Sequence, residues 1–325
     1  MTAQAITKKF NKDKVRKFLM GSKDKEGFLK VFAIYALLIC IGFIYIYPIL
    51  YMISSSFMTL DDLLDSSIKW IPSSVNLNNY IQAAKSMDFW MSLLKSIIIA
   101  GVPTICNLIS CALVGYGLAR FEFPGKKIAF ALIIFSFILP SQITMISTYK
   151  LYNDLDILNT LWAFVIPSIL AAGINGPIFI LIFYQFFKQV PKVLIEAAQI
   201  DGAGYLKSFL KISLPSAAPA IITVALFSFV WYWNESYLTQ MYVSGAISGA
   251  NIGDGWKWTT LVVQLDQFAA NYNAYATTSG SQATSLNESI NMAGTMLSIL
   301  PLLIMYFVLQ RYFVESIDRT GITGE

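Results

Sequence analysis

Histidine is absent from this chain of 325 residues, and Asp, Glu, Lys and Arg together make up only 13% of it, about half the share of an average soluble domain. Without imidazole, Ser-His-Asp hydrolysis, His-ligated zinc or haem and histidine proton relays are excluded. Cysteine is limited to Cys40, Cys106 and Cys111, set in apolar runs without CxxC spacing. That pattern fits buried thiols rather than a metal site or a disulfide framework. No GxxxxGK[ST] phosphate loop occurs, so any ATP used must be bound by another polypeptide. The net charge of +4 is small, and no nucleic-acid partner is expected.

What is abundant is apolar surface. Hydrophobic residues reach 56% and aromatics 14%, with a mean hydropathy of +0.60, an excess that makes lipid the natural solvent for much of the chain. Six runs, approximately 31–53, 96–119, 128–147, 160–184, 214–234 and 290–310, contain no Asp, Glu, Lys or Arg. Each is long enough to cross a hydrocarbon core of about 30 Å as a helix. Unbroken stretches such as Ile128–Leu139 do not alternate as barrel strands would. The expected fold is all-α, a polytopic membrane bundle of six transmembrane helices. The first run follows about 30 residues holding nine basic side chains, too long a leader for a cleaved signal peptide, and is read as a retained anchor.

Charge placement orients the bundle. Eighteen of the 23 basic residues fall in the amino-terminal arm, in 120–127, in 185–213 and in the tail. By the positive-inside rule these segments and both termini are cytoplasmic in a multi-pass cell-membrane protein. The organisation is then a basic cytoplasmic arm (1–30), a first transmembrane helix (31–53), an extracytoplasmic loop (54–91), a five-helix transmembrane domain (92–313) and a cytoplasmic tail (314–325). The arm reads either as a basic helix on an anionic leaflet or as a solvated tail. The extracytoplasmic loop 239–289, rich in Gly, Asn, Ser and Thr, is too long to be structureless in a compact protein and calls for a packed fold or a partner. No repeat relates the two halves, which weighs against repeat-built secondary carriers.

The most informative segment is VPKVLIEAAQIDGAGYLKSFLKISLPSAAPAI, residues 190–221, in the loop 190–213 and just beyond it. It reads as a short helix opened by Pro191-Lys192, a break at Asp201-Gly202, and a second helix. Glu196-Ala197-Ala198 offers small side chains for close approach by another surface, and Gly202 tolerates backbone angles closed to other residues. Tyr205, Phe209 and Ile212 recur at i, i+4 and i+7 as an apolar stripe to pack under the bundle.

EAA, three residues, Gly202, nine residues, then Ile212 and Leu214-Pro215 resembles the EAA signature of permease subunits in binding-protein-dependent ABC importers. The fuller EAAQIDGAGYLKSFLKISLPSAAP is similar to the MalG-like carbohydrate branch. LPSQITMISTYKLYNDLDILNTLWAFVIP (139–167), FILIFYQFFKQVP (179–191), WNE (233–235) and the ending LQRYFVESIDRTGITGE (309–325) extend the likeness over most of residues 90–325. The resemblance implies a type I ABC importer permease fold, with residues 190–213 forming a coupling helix seated in a cleft of a cytoplasmic ATPase. Glu196, Ala197, Ala198, Asp201, Gly202 and Ala203 would make that contact. It further implies a second homologous permease, an ATPase pair that carries ATP and magnesium, and an extracytoplasmic sugar-binding protein, with no cofactor on this chain and no catalysis by it.

Neutral sugars are held by aromatic faces and planar hydrogen-bonding groups. The cavity candidates are therefore Gln142, Asn175 in its Gly/Pro-flanked break, and the cluster Trp231, Tyr232, Trp233, Asn234 and Glu235. An interfacial aromatic belt accounts for the cluster equally well, and interhelical hydrogen bonding accounts for Asn107, Gln142 and Asn175. The reading is an ATP-driven importer of carbohydrates, with oligosaccharides expected, working by alternating access. Against the rival, an ion-coupled carrier or channel, the six spans lack the carboxylates and histidines that mark proton paths, which leaves it sodium bound by backbone carbonyls.

The charge partition sets a first test. A cysteine placed at Ser279 should label from outside in intact cells, and one at Ser208 should not; the reverse pattern would overturn the orientation.

Overall fold

The computed structural model describes residues 21–22, 25–65, 67, 70–243, 257–279 and 285–321. The reading of the arm up to residue 20 lies outside the described residues. Apart from a two-residue antiparallel ladder, Gly21–Ser22 (β1) with Lys25–Glu26 (β2), the described elements are helices. They fall into two compact units, Met1–Asn79 and Tyr80–Glu325.

In the first unit, α1 runs Phe28–Ser56, 29 residues, about 44 Å of helix. No residue of its most apolar window is buried, as suits a helix solvated by lipid rather than protein. The chain then turns sharply. Thr59 caps the short α2 (Leu60–Leu64) through a reciprocal capping box with Asp62, which satisfies two otherwise orphaned amides. Asp62 also accepts from the Ser73 hydroxyl, and this bond, with the Thr59 amide, holds its carboxyl below the usual carboxylate range. Asn79 Nδ2 donates to the carbonyls of Ser56 and Met58, both at 2.9 Å.

The next helices are α3 (Asn78–Ser86), α4 (Phe89–Arg120), α5 (Lys126–Ile138), α6 (Ser141–Asp154), α7 (Trp162–Ile169), α8 (Gly176–Gln189), α9 (Lys192–Ile200) and α10 (Tyr205–Ser208). A π-helical turn over Phe209–Ser213 leads into α11 (Leu214–Ser216) and α12 (Ala218–Asn234). The series ends with α13 (Tyr237–Tyr242), α14 (Leu261–Asp266), α15 (Phe268–Ser279) and α16 (Glu288–Gly321). In the second unit α4 is the spine, packing against α7, α8 and α12, while α16 packs on α12. One core gathers Tyr116, Phe179, Phe183, Phe187, Phe209 and Val224. Another gathers Tyr232, Trp233, Leu261, Tyr272 and Ile290.

Three of the six runs are single long helices: α1, α4 and α16. The other three are interrupted, one of them at the Gly/Pro-flanked break expected around Asn175. Run 128–147 is broken at Leu139-Pro140 into α5 and α6, bent by 101°, because proline supplies no amide and disfavours helix in the residue before it. Run 160–184 is interrupted over 170–175, between α7 and α8. Run 214–234 becomes α12, set 78° from the helical stretch Tyr205–Ser216. The last helix extends to Gly321, so the segment read as a tail from 314 is helical at its start. Loop 239–289 has a packed fold, with Leu261, Val263 and Tyr272 fully buried; its residues 244–256 and 280–284 lie outside the described residues.

Gly115 marks a close crossing of α4 and α8. A Cβ there would lie 2.7 Å from Phe183 Cβ and 3.0 Å from the Tyr184 amide nitrogen, whereas one on Gly117 meets nothing within 4 Å. Small residues at such crossings let two backbones approach in a membrane bundle. Gly115→Ala should therefore destabilise the protein by about 1–3 kcal/mol, while Gly117→Ala should be neutral or gain up to about 1 kcal/mol from helix propensity. Thermal unfolding of both variants in detergent checks the contrast.

Candidate functional site

Two places in the second unit carry the candidate residues. The first is the turn between α8 and α9. Helix α8 ends at Val190, Pro191 redirects the chain, and α9 leaves at 72°. At the far end of α9 the Gly202 amide donates to Gln199 O at 3.0 Å and the Ala203 amide to Ala198 O at 2.8 Å, with Gly202 at φ +80°. This is a Schellman motif, which closes orphan carbonyls and needs a left-handed residue at its turn. Gly202 thus serves backbone geometry first, since no atom crowds its Cβ position.

Glu196-Ala197-Ala198 lies in the middle of α9, and only Ile195 of that helix is buried. Val193, Ala197 and Ile200 fall on one face at i, i+4 and i+7, and Val193 is 70% and Ile200 86% exposed. Ala198 is half-buried, so Ala197 is the alanine on the open face. Downstream, the expected stripe is only partly realised. Phe209 is buried and Ile212 half-buried, while Tyr205, in the first turn after the Gly202 break, is 62% exposed; the π-helical turn begins only at Phe209 and widens the step from there to Ile212. Ser208 is fully buried and would stay unlabelled from either side; neighbouring Lys207, exposed, is the position that reports sidedness.

The end of α4 borders both flanks of α9. Arg120 Nη2 donates to Val190 O at 2.6 Å. The Tyr116 ring lies 4.8 Å from that of Phe209 and 5.5 Å from that of Phe187, and Phe121 meets Tyr205 at 5.2 Å. Glu122 accepts from Lys126 at 2.8 Å, which holds its carboxyl below the ordinary value, with the charge of Lys192 at the start of α9 adding to the effect. Such exposed ion pairs contribute little to stability.

The second place is a cavity of about 880 Å³ lined from α4, α5, α6, α7, the 170–175 break, α8, α12 and α13. It brings together Gln142, Asn175, Tyr232 and Glu235, but not Trp231, Trp233 or Asn234. Trp231 packs on Phe179 at 5.4 Å. Trp233 is buried beside Phe229, and Asn234 bonds back to Val230 O at 3.0 Å. Tyr232 and Trp233 are core residues, not members of an interfacial belt. Asn107, fully buried, accepts from Cys111 of its own helix at 3.2 Å, so this contact is not interhelical.

Sequence reasoning missed Thr144, Thr148 and Tyr152, which line the cavity. Their i, i+4, i+8 spacing puts them on one face of α6, a signal readable once α6 is a helix in its own right. Among the described residues Glu235 is the one charged member of the lining; its Oε1 also accepts from the Leu238 amide at 2.9 Å.

Tyr232 holds the break beside this cavity. The Ser168 hydroxyl donates to Phe164 O at 2.7 Å, so in the 2.6 Å contact between the two hydroxyls Tyr232 donates to Ser168. Tyr232 Oη in turn accepts the Ile174 amide at 3.1 Å. Ser110 on α4 donates to Ser168 O at 2.5 Å. Ala171 and Asn175 both sit at left-handed φ, +57° and +55°, strain that surrounding contacts must hold in place.

Residues 112–319 match the profile of the binding-protein-dependent transport system inner membrane component family. Protein LplC of Bacillus subtilis is 30% identical over 286 residues, covering 87% of this chain and 91% of that protein. The polygalacturonan/rhamnogalacturonan transport system permease protein YtcP of Bacillus subtilis is 28% identical over 291 residues, covering 90% and 97%. The arabinooligosaccharides transport system permease protein AraQ of Halalkalibacterium halodurans is 28% identical over 287 residues, covering 87% and 93%. The solved structure of a bacterial ABC transporter involved in the import of the acidic polysaccharide alginate superposes with a TM-score of 0.71 at 21% identity, over 87% of this chain and 97% of that one; it shows a shared fold.

Tyr232→Phe removes the acceptor of a buried amide. It should cost about 1–3 kcal/mol, and Gly173→Ala should cost at least as much, since its Cβ would lie 2.5 Å from Tyr232 Oη and 2.7 Å from Ser168 Oγ. Melting temperatures in detergent below that of the unaltered protein are the expected result for both.

Proposed function

The chain belongs to the binding-protein-dependent transport system inner membrane components, and from that membership we propose that it is the permease subunit of an ATP-driven carbohydrate importer, carrying neutral oligosaccharides by alternating access. The observation that carries the reading is α9: a nine-residue helix about 14 Å long, turned 72° from α8 and presenting Val193, Ala197 and Ile200 outward. A capped, rigid helix with a small residue at mid-face is suited to plug a cleft in another rigid body. That body is an ATPase subunit, which binds the ATP and magnesium. A second, homologous permease and an extracytoplasmic sugar-binding protein complete the assembly.

The carbohydrate substrate is supported by the cavity, where Gln142, Asn175, Thr144, Thr148, Tyr152 and Tyr242 supply hydroxyls, amides and aromatic faces, the groups that suit neutral sugars. It is supported also by the transport of oligosaccharides or polysaccharides that the names of related permeases record. Among the described residues none that lines the cavity is cationic, so none is there to attract uronates. The basic residues of the arm, of 120–127, of 185–213 and of the tail support a cytoplasmic position for both termini and for α9.

Ala197→Asp puts a carboxylate on the exposed face of α9, leaves the chain's own packing untouched, and must be buried unpaired if the helix seats in a cleft. It should assemble with the partner permease yet lose co-purification of the ATPase, or lose stimulation of hydrolysis by loaded binding protein. In energised vesicles, uptake by the unaltered transporter should survive collapse of proton and sodium gradients while ATP is maintained. Retained co-purification and stimulation in the variant would overturn the coupling role; loss of uptake with the gradients would return the carrier reading.

A further inference from the structure

We propose that Arg120 is a positioning residue that makes α4 the lever between the coupling helix and the cavity. This rests on the reading of α9 as the ATPase-coupling helix. The last carbonyls of a helix have no partner within it. At the end of α8 the chain passes directly into Pro191, and Val190 adopts extended backbone (φ −64°, ψ 123°) rather than a left-handed cap. The carbonyl of Val190, a buried residue, is met instead by the guanidinium of Arg120, 70 residues away and the last residue of α4. A cation at a helix carboxyl end is favoured by the orphan carbonyls and by the helix dipole, and a charged donor makes the stronger class of hydrogen bond.

The other flank of α9 is held by the same six residues of chain. Tyr116 packs on Phe209 and Phe121 on Tyr205, both beyond the Gly202 turn. α9 is therefore gripped before and after by residues 116–121, and a displacement of α9 either breaks these contacts or carries the end of α4 with it. Helix α4 reaches the cavity through Val114 and is locked to α8 at Gly115. Through Ser110 it is hydrogen-bonded to the carbonyl of Ser168, which holds the Tyr232 latch. The contacts form one continuous path from α9 to the cavity wall. Arg120 also leaves its Nε buried without a hydrogen-bond partner, a cost that stability alone does not explain.

The test uses the whole transporter, with partner permease, ATPase pair and binding protein, in proteoliposomes. Cys40 and Cys106 are replaced by serine, and Gln142→Cys in the cavity is labelled by a maleimide with and without ATP and vanadate. With Arg120 in place, trapping should change the labelling rate. Arg120→Met should still co-purify with the ATPase but shrink that change about tenfold, the shift expected from losing one charged hydrogen bond. Arg120→Lys, which keeps a charged donor, should restore most of it. A change of unaltered size in Arg120→Met overturns the proposal. If Arg120→Met fails to assemble, Phe121→Leu decides, a reduced change supporting the lever and an undiminished one refuting it. If trapping changes nothing with Arg120 present, or if Ala197→Asp leaves the change intact, the reading of α9 itself falls and the lever falls with it.

Discussion

A backbone amide inside hydrocarbon has no water to bond, so a chain solvated by lipid must satisfy its peptide groups internally. Among the described residues every regular span answers with a helix, and each interruption must find its partners either locally or from another helix. The Leu139-Pro140 break is closed locally, the Leu139 amide reaching Phe135 O at 3.0 Å and the Ile143 amide Pro140 O at 3.1 Å. The 170–175 break relies on the Tyr232 hydroxyl, which takes the Ile174 amide. The break at Val190 relies on Arg120. The three interruptions are also where the functional surfaces form, two of them walling the cavity and the third turning out α9.

Helix α4 connects two of these points, bonding through Ser110 to Ser168 beside the 170–175 break and through Arg120 to Val190. Gly115 lets the α8 backbone approach, and Ser110, Cys111 and Asn107 place small or polar groups along the same contact. Cys111 lies within reach of Gly176 O at 3.6 Å. A larger side chain anywhere on this face would separate the two helices, and with them the cavity wall from the coupling turn.

Exposed apolar residues have two meanings in this protein. On α1 and α5 they form whole apolar surfaces, such as Ile39, Ile44, Ile128 and Leu132, as expected where lipid is the neighbour. On α9 the exposed Val193 and Ile200 share a short helix with Lys192, Glu196 and Gln199. That mixture suits a protein partner in water better than a bilayer.

Apolar runs report which solvent a segment meets, and for this reason the six membrane segments, the all-helical class and the family itself were legible in the residues alone. The helix, Gly202 turn and second helix of 190–221 were legible too, because caps and glycine turns are local. Apolarity does not report continuity: the Gly/Pro pattern around Asn175 marked the break near 170–175, but the break at Leu139-Pro140 and its 101° bend emerged only with the tertiary structure. The residues 231–235 show the same limit within a helix. Neighbours there point about 100° apart, so Tyr232 reaches the cavity, Trp233 the core and Trp231 the Phe179 ring, and only packing decided which was which. Contacts such as Arg120 with Val190, or Tyr232 with Ile174, join residues separated by 70 and 58 positions. Sequence spacing carries no information about pairs that only the folding of one helix onto another brings within a hydrogen bond.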